Sequence, residues 1–195
     1  MVDAEGRSVV LVEGPSDAAA VQALARRLRH DLDNKGVSIV AMGGYGNLGH
    51  FLEQYGPSGL DVRLSGLYDA PEERHFSRGL ARAGFGSSLT RADLEELGFY
   101  ACDANLEDEL ARALGPAAME ELLEAQGDLS AFRTYQKQPA HREATIEAQL
   151  HGFLWNRKLE YGVLIVDALD LDCIPRPLER VLGRALSAAP SPRRV

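Results

Sequence analysis

Acidic residues follow apolar runs in this chain at points where carboxylates can do chemistry. Val9-Val10-Leu11-Val12 is a β-branched run of the kind buried on both faces of a parallel sheet, and Glu13-Gly14-Pro15-Ser16-Asp17 follows it directly. In open α/β sheets the carboxyl ends of strands border the ligand crevice, so Glu13 is positioned for chemistry. Gly14 permits close backbone approach and Pro15 suits a first helical turn, which puts Asp17 just inside a helix. Two carboxylates at one strand-to-helix corner can hold a hard divalent cation, which takes oxygen ligands. The plainer alternative is that Glu13 ends a strand in solvent and Asp17 complements a helix dipole.

The pattern recurs downstream. Asp69 ends the apolar run 62–68, and Asp103, Glu107, Asp108 and Glu109 follow the run 99–102. Acids in a first helical turn are common without any function, which accounts for Asp108 and Glu109; Asp103 and Glu107 stay candidates. After Asp69, Pro71-Glu72-Glu73 opens a helix on which Arg74, Arg78 and Arg82 recur every four residues. This basic stripe is either a track for a phosphate backbone or a solvated face balanced by Glu72 and Glu73.

A glycine turn offers a competing chemistry. Gly44, Gly46 and Gly49 match the dinucleotide-binding spacing G-x-G-x-x-G, and Asp69 lies twenty residues beyond Gly49. However, the helix that follows is cut short by Gly56-Pro57, and the motif trails the second strand while Glu13 ends the first. Glycines serving a tight turn are the commoner explanation, so a structural role is expected for 43–49.

The elements that must position these groups alternate. Strand 9–12 is followed by an amphipathic helix over 18–30, a strand over 37–42, a helix over 48–55 and a strand over 62–68. The helix that opens at 71–73, a short helix over 88–97, the strand 99–102 and the helix 106–114 come next. The β-α-β order implies parallel strands joined by right-handed crossovers, and so delivers strand ends to one edge. Beyond Gly115-Pro116 the chain turns helical, over 117–126, 129–138 and 145–155. Residues 162–167 read as strand by their apolar run or as helix by the spacing of Tyr161, Leu164, Ile165 and Ala168.

With 195 residues and 45% hydrophobic content, the chain can bury one substantial core. Two cysteines make no disulfide framework, and the five histidines lack zinc spacing. The acidic start has no apolar core and is read as no signal peptide, which makes a cytoplasmic location the expectation. A formal charge of −8 argues against holding nucleic acid by bulk charge, so contacts would need local basic patches or metal.

Glu13-Gly14 after a strand, the Asn47-containing glycine turn, Asp69 ending the next strand and Leu106-Glu107-Asp108 after a fourth resemble the Toprim domain, particularly that of the OLD family of nucleases. The chain looks like a small stand-alone Toprim protein of actinobacterial type without an ATPase domain. The similarity runs over about 8–186 and includes Lys158 and Ile174-Pro175-Arg176-Pro177-Leu178. It implies a Toprim-like α/β fold, a parallel four-stranded sheet flanked by helices over 8–115. A C-terminal helical extension follows over 116–187, in which 162–167 is helical; the final stretch 188–195 by its own residues reads as a flexible tail.

The same resemblance implies Mg²⁺- or Mn²⁺-dependent phosphodiester hydrolysis of nucleic acid, DNA in preference to RNA, with an ATPase or other protein acting in trans. The expected ligands are Glu13, Asp17, Asp69 and Glu107, then Glu72, Glu73 and Asp103. Glu13 and Asp69 are the expected catalytic acids, and Lys158 supplies a cation near the metal. Where the Toprim pattern has Asp-x-Asp this chain has Asp69-Ala70-Pro71, so Glu72 or Glu73 must stand in, or one metal position is weakened. The alternatives are an inactive Toprim module that binds nucleic acid or a partner protein and, third, a dinucleotide-binding protein.

Overall fold

A computed structural model describes residues 7–187; the acidic start and the expected tail at 188–195 lie outside the described residues. The elements run β1 (Ser8–Val12), α1 (Pro15–Arg27), β2 (Val37–Ala41), α2 (Leu48–Tyr55), β3 (Arg63–Asp69), α3 (Glu73–Arg82), α4 (Arg91–Leu97), β4 (Phe99–Cys102) and α5 (Leu106–Leu114). They continue with α6 (Pro116–Ala125), α7 (Leu129–Gln136), α8 (Ile146–Leu154), α9 (Lys158–Ala168) and α10 (Arg176–Leu186).

The four strands form one sheet in the order β2-β1-β3-β4, and every neighbouring pair is parallel. The first crossover sets β2 on one side of β1, and the next carries the chain back to set β3 on the other side. The direction of winding therefore switches between β1 and β3, where open α/β sheets form their crevice. Gly66 makes this pairing close: a Cβ there would stand 2.6 Å from the Leu11 carbonyl oxygen and 3.0 Å from the Phe99 ring.

Alternation along the strands divides the core. Val9, Leu11, Leu64, Tyr68 and Phe99 face Leu48 and Leu52 of α2, Phe76 and Leu80 of α3 and Leu94 of α4. Val10, Val12, Leu67, Tyr100 and Cys102 face the opposite layer, built from α1 and the helices from α5 to α10. Both sheet faces are covered, which is why β1 is apolar at every position but its first.

The helices after 115 join the same core as the sheet. Leu178, Val181, Leu182 and Ala185 of α10 are buried with strand residues Val10 and Tyr100, and α9 lies along α1. Residues 162–167 are helical within α9, with Tyr161, Ile165 and Val166 turned inward. Arg27, in the last turn of α1, donates to the carbonyls of Val166 and Leu169 at 2.6 Å each and closes the end of α9.

Candidate active-site cleft

Glu13 is the first residue past β1. Its carbonyl oxygen accepts from the amides of Gly43 and Gly44 at 2.9 and 3.1 Å. The β1 corner is thereby fastened to the turn that leaves β2, and Gly44, at φ +112°, holds a conformation that favours glycine. Two amides that a pyrophosphate would need are spent on this joint. Gly46 and Gly49 have open space where a Cβ would go, so no close packing demands glycine at either position. Asn47 completes the turn by donating to the Met42 carbonyl at 2.9 Å.

Asp17 folds back over the start of α1, where the Gly14 amide donates to its Oδ2 at 2.9 Å. Asp69 ends β3, and its amide donates to the Tyr45 hydroxyl at 2.9 Å. Tyr45 is held in turn by Phe76, edge-on at 5.6 Å between ring centroids. Glu107 enters from the first turn of α5, where its Oε1 accepts from the Ser16 hydroxyl at 3.1 Å. Its Oε2 accepts from the Lys158 ammonium at 3.3 Å. Glu13, Asp17, Asp69, Glu107 and Lys158 line one cleft of about 550 Å³, together with Ser16, Gly43, Gly44, Asn105 and Trp155.

Burial first, and the neighbouring acids second, act on two of these carboxyls. Asp17 is pushed up to about 6, first by burial and then by the charges of Glu107 and Glu13, against the Gly14 hydrogen bond and Lys158. Asp69 is pushed up to about 7 by burial, then by Glu13, Asp17 and Glu107, while its hydrogen bond with Tyr45 opposes the rise. A site that penalises its own negative charge in this way favours a cation.

The donor chemistry fits a hard divalent ion, since the cleft acids offer only oxygen. As the side chains stand, however, no three His, Cys, Asp or Glu among the described residues are gathered to hold a metal. Each acid but Glu13 has a protein partner here: Gly14 engages the Asp17 carboxylate, the Tyr45 hydroxyl engages the Asp69 amide, and Ser16 with Lys158 engages both oxygens of Glu107.

Three expected ligands do not line the cleft. Pro71 turns the chain after Asp69 into a 3-10 turn over Ala70–Glu72, which carries the next acids away. Glu72 lines a different groove, and Glu73 pairs with Arg91 at 2.5 Å. Neither replaces the second acid of the Asp-x-Asp pattern. Asp103 lies in the loop beyond β4 with its side chain 73% exposed, 3.5 Å from Arg112.

Arg74, Arg78 and Arg82 do share one surface. With His75 they line a groove of about 550 Å³ between α2 and α3, beside Gly46, Gly49 and Gly79. Glu73 is turned to Arg91, while Glu53 and Glu72 line the groove beside the three arginines and offset part of their charge. The first half of the glycine turn borders the acid cleft and the second half borders this basic groove.

Sequence reasoning passed over Tyr45 and Ser16, which hold Asp69 and Glu107 in place. For Tyr45 a signal existed, since an aromatic inside a glycine-rich turn needs something to pack against. Ser16 in a first helical turn carries no such signal.

Residues 6–70 match the family described as Overcoming lysogenization defect protein-like, TOPRIM domain, a stretch that holds β1, β2 and β3 with Glu13, Asp17 and Asp69. Similar solved structures cover nearly the whole chain. The C-terminal region of the Burkholderia pseudomallei OLD protein superposes with a TM-score of 0.70 at 21% identity, covering 93% of this chain and 97% of that one. The C-terminal region of the Xanthomonas campestris pv. campestris OLD protein superposes with a TM-score of 0.71 at 23% identity, covering 93% and 92%. None of the curated proteins matches the sequence. At these identities the likeness is one of fold, the parallel four-stranded sheet with helices on both faces.

Proposed function

We propose, from the match of residues 6–70 to the OLD-like Toprim family, that the cleft catalyses divalent-metal-dependent hydrolysis of phosphodiester bonds in nucleic acid. The observation that carries this is the meeting of Glu13, Asp17, Asp69 and Glu107 with Lys158 in one cleft at the carboxyl ends of parallel strands. Glu13, Asp17, Asp69 and Glu107 would hold Mg²⁺ or Mn²⁺. Bound there, such an ion supplies the Lewis acidity that activates water and steadies the leaving oxygen. Because that positive charge is local, a net charge of −8 does not oppose catalysis.

The protein groups divide the remaining work. Lys158, which donates to Glu107 at 3.3 Å, would offer a fixed cation to a phosphodiester that gains negative charge in its transition state. Tyr45 and Ser16 keep Asp69 and Glu107 aimed at the cleft. Arg74, Arg78 and Arg82 extend a phosphate track beyond the glycine turn. DNA is the favoured substrate over RNA, and an ATPase acting in trans is consistent with this assignment.

The test is cleavage of supercoiled DNA, single-stranded DNA and RNA with Mn²⁺ and with chelator. Metal-dependent cleavage by the wild type that is lost in Glu13→Ala supports the assignment; no cleavage of any of them by the wild type ends it. A second reading, a Toprim module that binds nucleic acid or a partner without cutting, is favoured by Pro71 and by the engagement of both Glu107 oxygens. Nucleic-acid binding without turnover would select it.

A further inference from the structure

Trp155 is the chain's one tryptophan and, at 56%, the most exposed large apolar residue among those described. It opens the 3-10 turn Trp155–Arg157 between α8 and α9 and lines the acid cleft beside Glu107 and Lys158. Two neighbours orient it: the Lys158 ammonium lies 4.3 Å from its ring centroid, and the His151 ring lies 5.5 Å away at 50°. Both are tied to the first turn of α5, Lys158 by Glu107 at 3.3 Å and His151 by Asp108 at 2.5 Å. The indole is therefore held in place while more than half of its surface stays open at the mouth of a site built for phosphate chemistry.

A positioned, exposed aromatic beside a cation is what unpaired bases bind: every base has a π-face, and an adjacent ammonium complements its phosphate. In an intact duplex those faces are already stacked, so such a platform discriminates against it. We propose that Trp155 is a stacking platform for an unpaired base of the strand whose phosphate enters the acid cleft. The substrate class is then single-stranded or locally opened nucleic acid. The proposal rests on reading the cleft as a nucleic-acid site.

The emission of a lone tryptophan reports this directly, and in chelator nothing is cleaved. Short single-stranded oligothymidylate is expected to quench Trp155, whereas an abasic strand of equal length and a blunt-ended, fully paired duplex leave it unchanged. Trp155→Ala should weaken oligothymidylate binding about 5- to 150-fold, the range of base–aromatic stacking. Trp155→Phe should restore most of the affinity, with duplex binding unmoved in both. Equal quenching by the abasic strand, or equal oligothymidylate affinity in wild type and Trp155→Ala, would overturn the proposal. A protein that quenches in chelator yet never cleaves with Mn²⁺ keeps the platform and loses the nuclease assignment; cleavage without quenching does the reverse.

Discussion

The Lys158 ammonium stands 3.3 Å from Glu107 Oε2, which joins the start of α9 to the first turn of α5 across the acid cleft. The Ser16 hydroxyl donates to the other Glu107 oxygen, so one carboxylate links three helices. An exposed ion pair contributes little to stability, about 0–1 kcal/mol, and this one is only partly buried. On the proposed function, Lys158 serves catalysis rather than folding.

Lys158→Ala should accordingly lower cleavage by about 10²- to 10³-fold, the scale for removing a fixed electrostatic stabiliser. Mn²⁺ binding by calorimetry and the unfolding temperature should change little. Glu13→Ala should lose cleavage and metal binding together. Equal cleavage by wild type and Lys158→Ala at saturating Mn²⁺ would return Lys158 to a structural role.

The raised acids make stability depend on pH in a definite direction. Asp69 and Asp17 are shifted up from 3.8 to about 7 and about 6, so the unfolded chain releases their protons first. Their protonated forms favour the fold, and that contribution is lost as pH rises from about 4 through about 7. In chelator the unfolding temperature should fall over this window, and Mg²⁺ or Mn²⁺ at pH 7 should restore it by mass action. Asp69→Asn should flatten the decline. A flat profile for the metal-free wild type would contradict the charge crowding.

Tyr45→Phe removes the hydroxyl that accepts from the Asp69 amide. The expected cost is about 1–3 kcal/mol for the orphaned donor, or a fall of roughly 2–4 °C in unfolding temperature per kcal/mol. Because Tyr45 opposes the rise of Asp69, the same variant should move the pH-dependent loss to higher pH. Calorimetric scans across pH measure both effects.

Two glycine substitutions should part company. Gly66→Ala drives a Cβ to 2.6 Å from the Leu11 carbonyl oxygen and should cost about 1–3 kcal/mol or more by overpacking. Gly46→Ala meets open space and should be nearly neutral. NAD should give neither protein thermal protection, because the Gly43 and Gly44 amides are already bonded to Glu13. Strong protection at low NAD concentration would favour the dinucleotide reading.

Replacing Arg74, Arg78 and Arg82 together by Ala should weaken nucleic-acid binding similarly across sequences. The salt slope should fall by about 0.9 for each phosphate no longer neutralised on duplex, or about 0.7 on a single strand. Binding measured at several salt concentrations decides this; an unchanged slope would make the groove bystander surface.

Local pattern carried much of the architecture. The apolar run at 9–12, its carboxylate and the Gly14-Pro15 helix start are readable because strand burial and helix initiation depend on neighbours in sequence. The helices at 48–55 and 106–114 and the strand at 99–102 sit where their periodicity puts them, and β-α-β order implied the parallel sheet with its acids at one edge. For 162–167 the apolar run suited strand or helix equally, and packing against α1 and α5 decided for helix.

Tertiary structure alone decided which acids meet. Glu72, Glu73, Asp103 and Glu107 look alike in sequence, each an acid soon after a strand. A turn imposed by Pro71, an Arg91 eighteen residues away from Glu73, and a Ser16–Glu107 bond spanning ninety-one residues sort them. The basic stripe could be seen in the sequence, but the groove that it lines beside the glycine turn, with Glu53 and Glu72, could not. Such outcomes depend on strand order and helix docking, which set distances between residues far apart in the chain, and short-range periodicity holds no information about those distances.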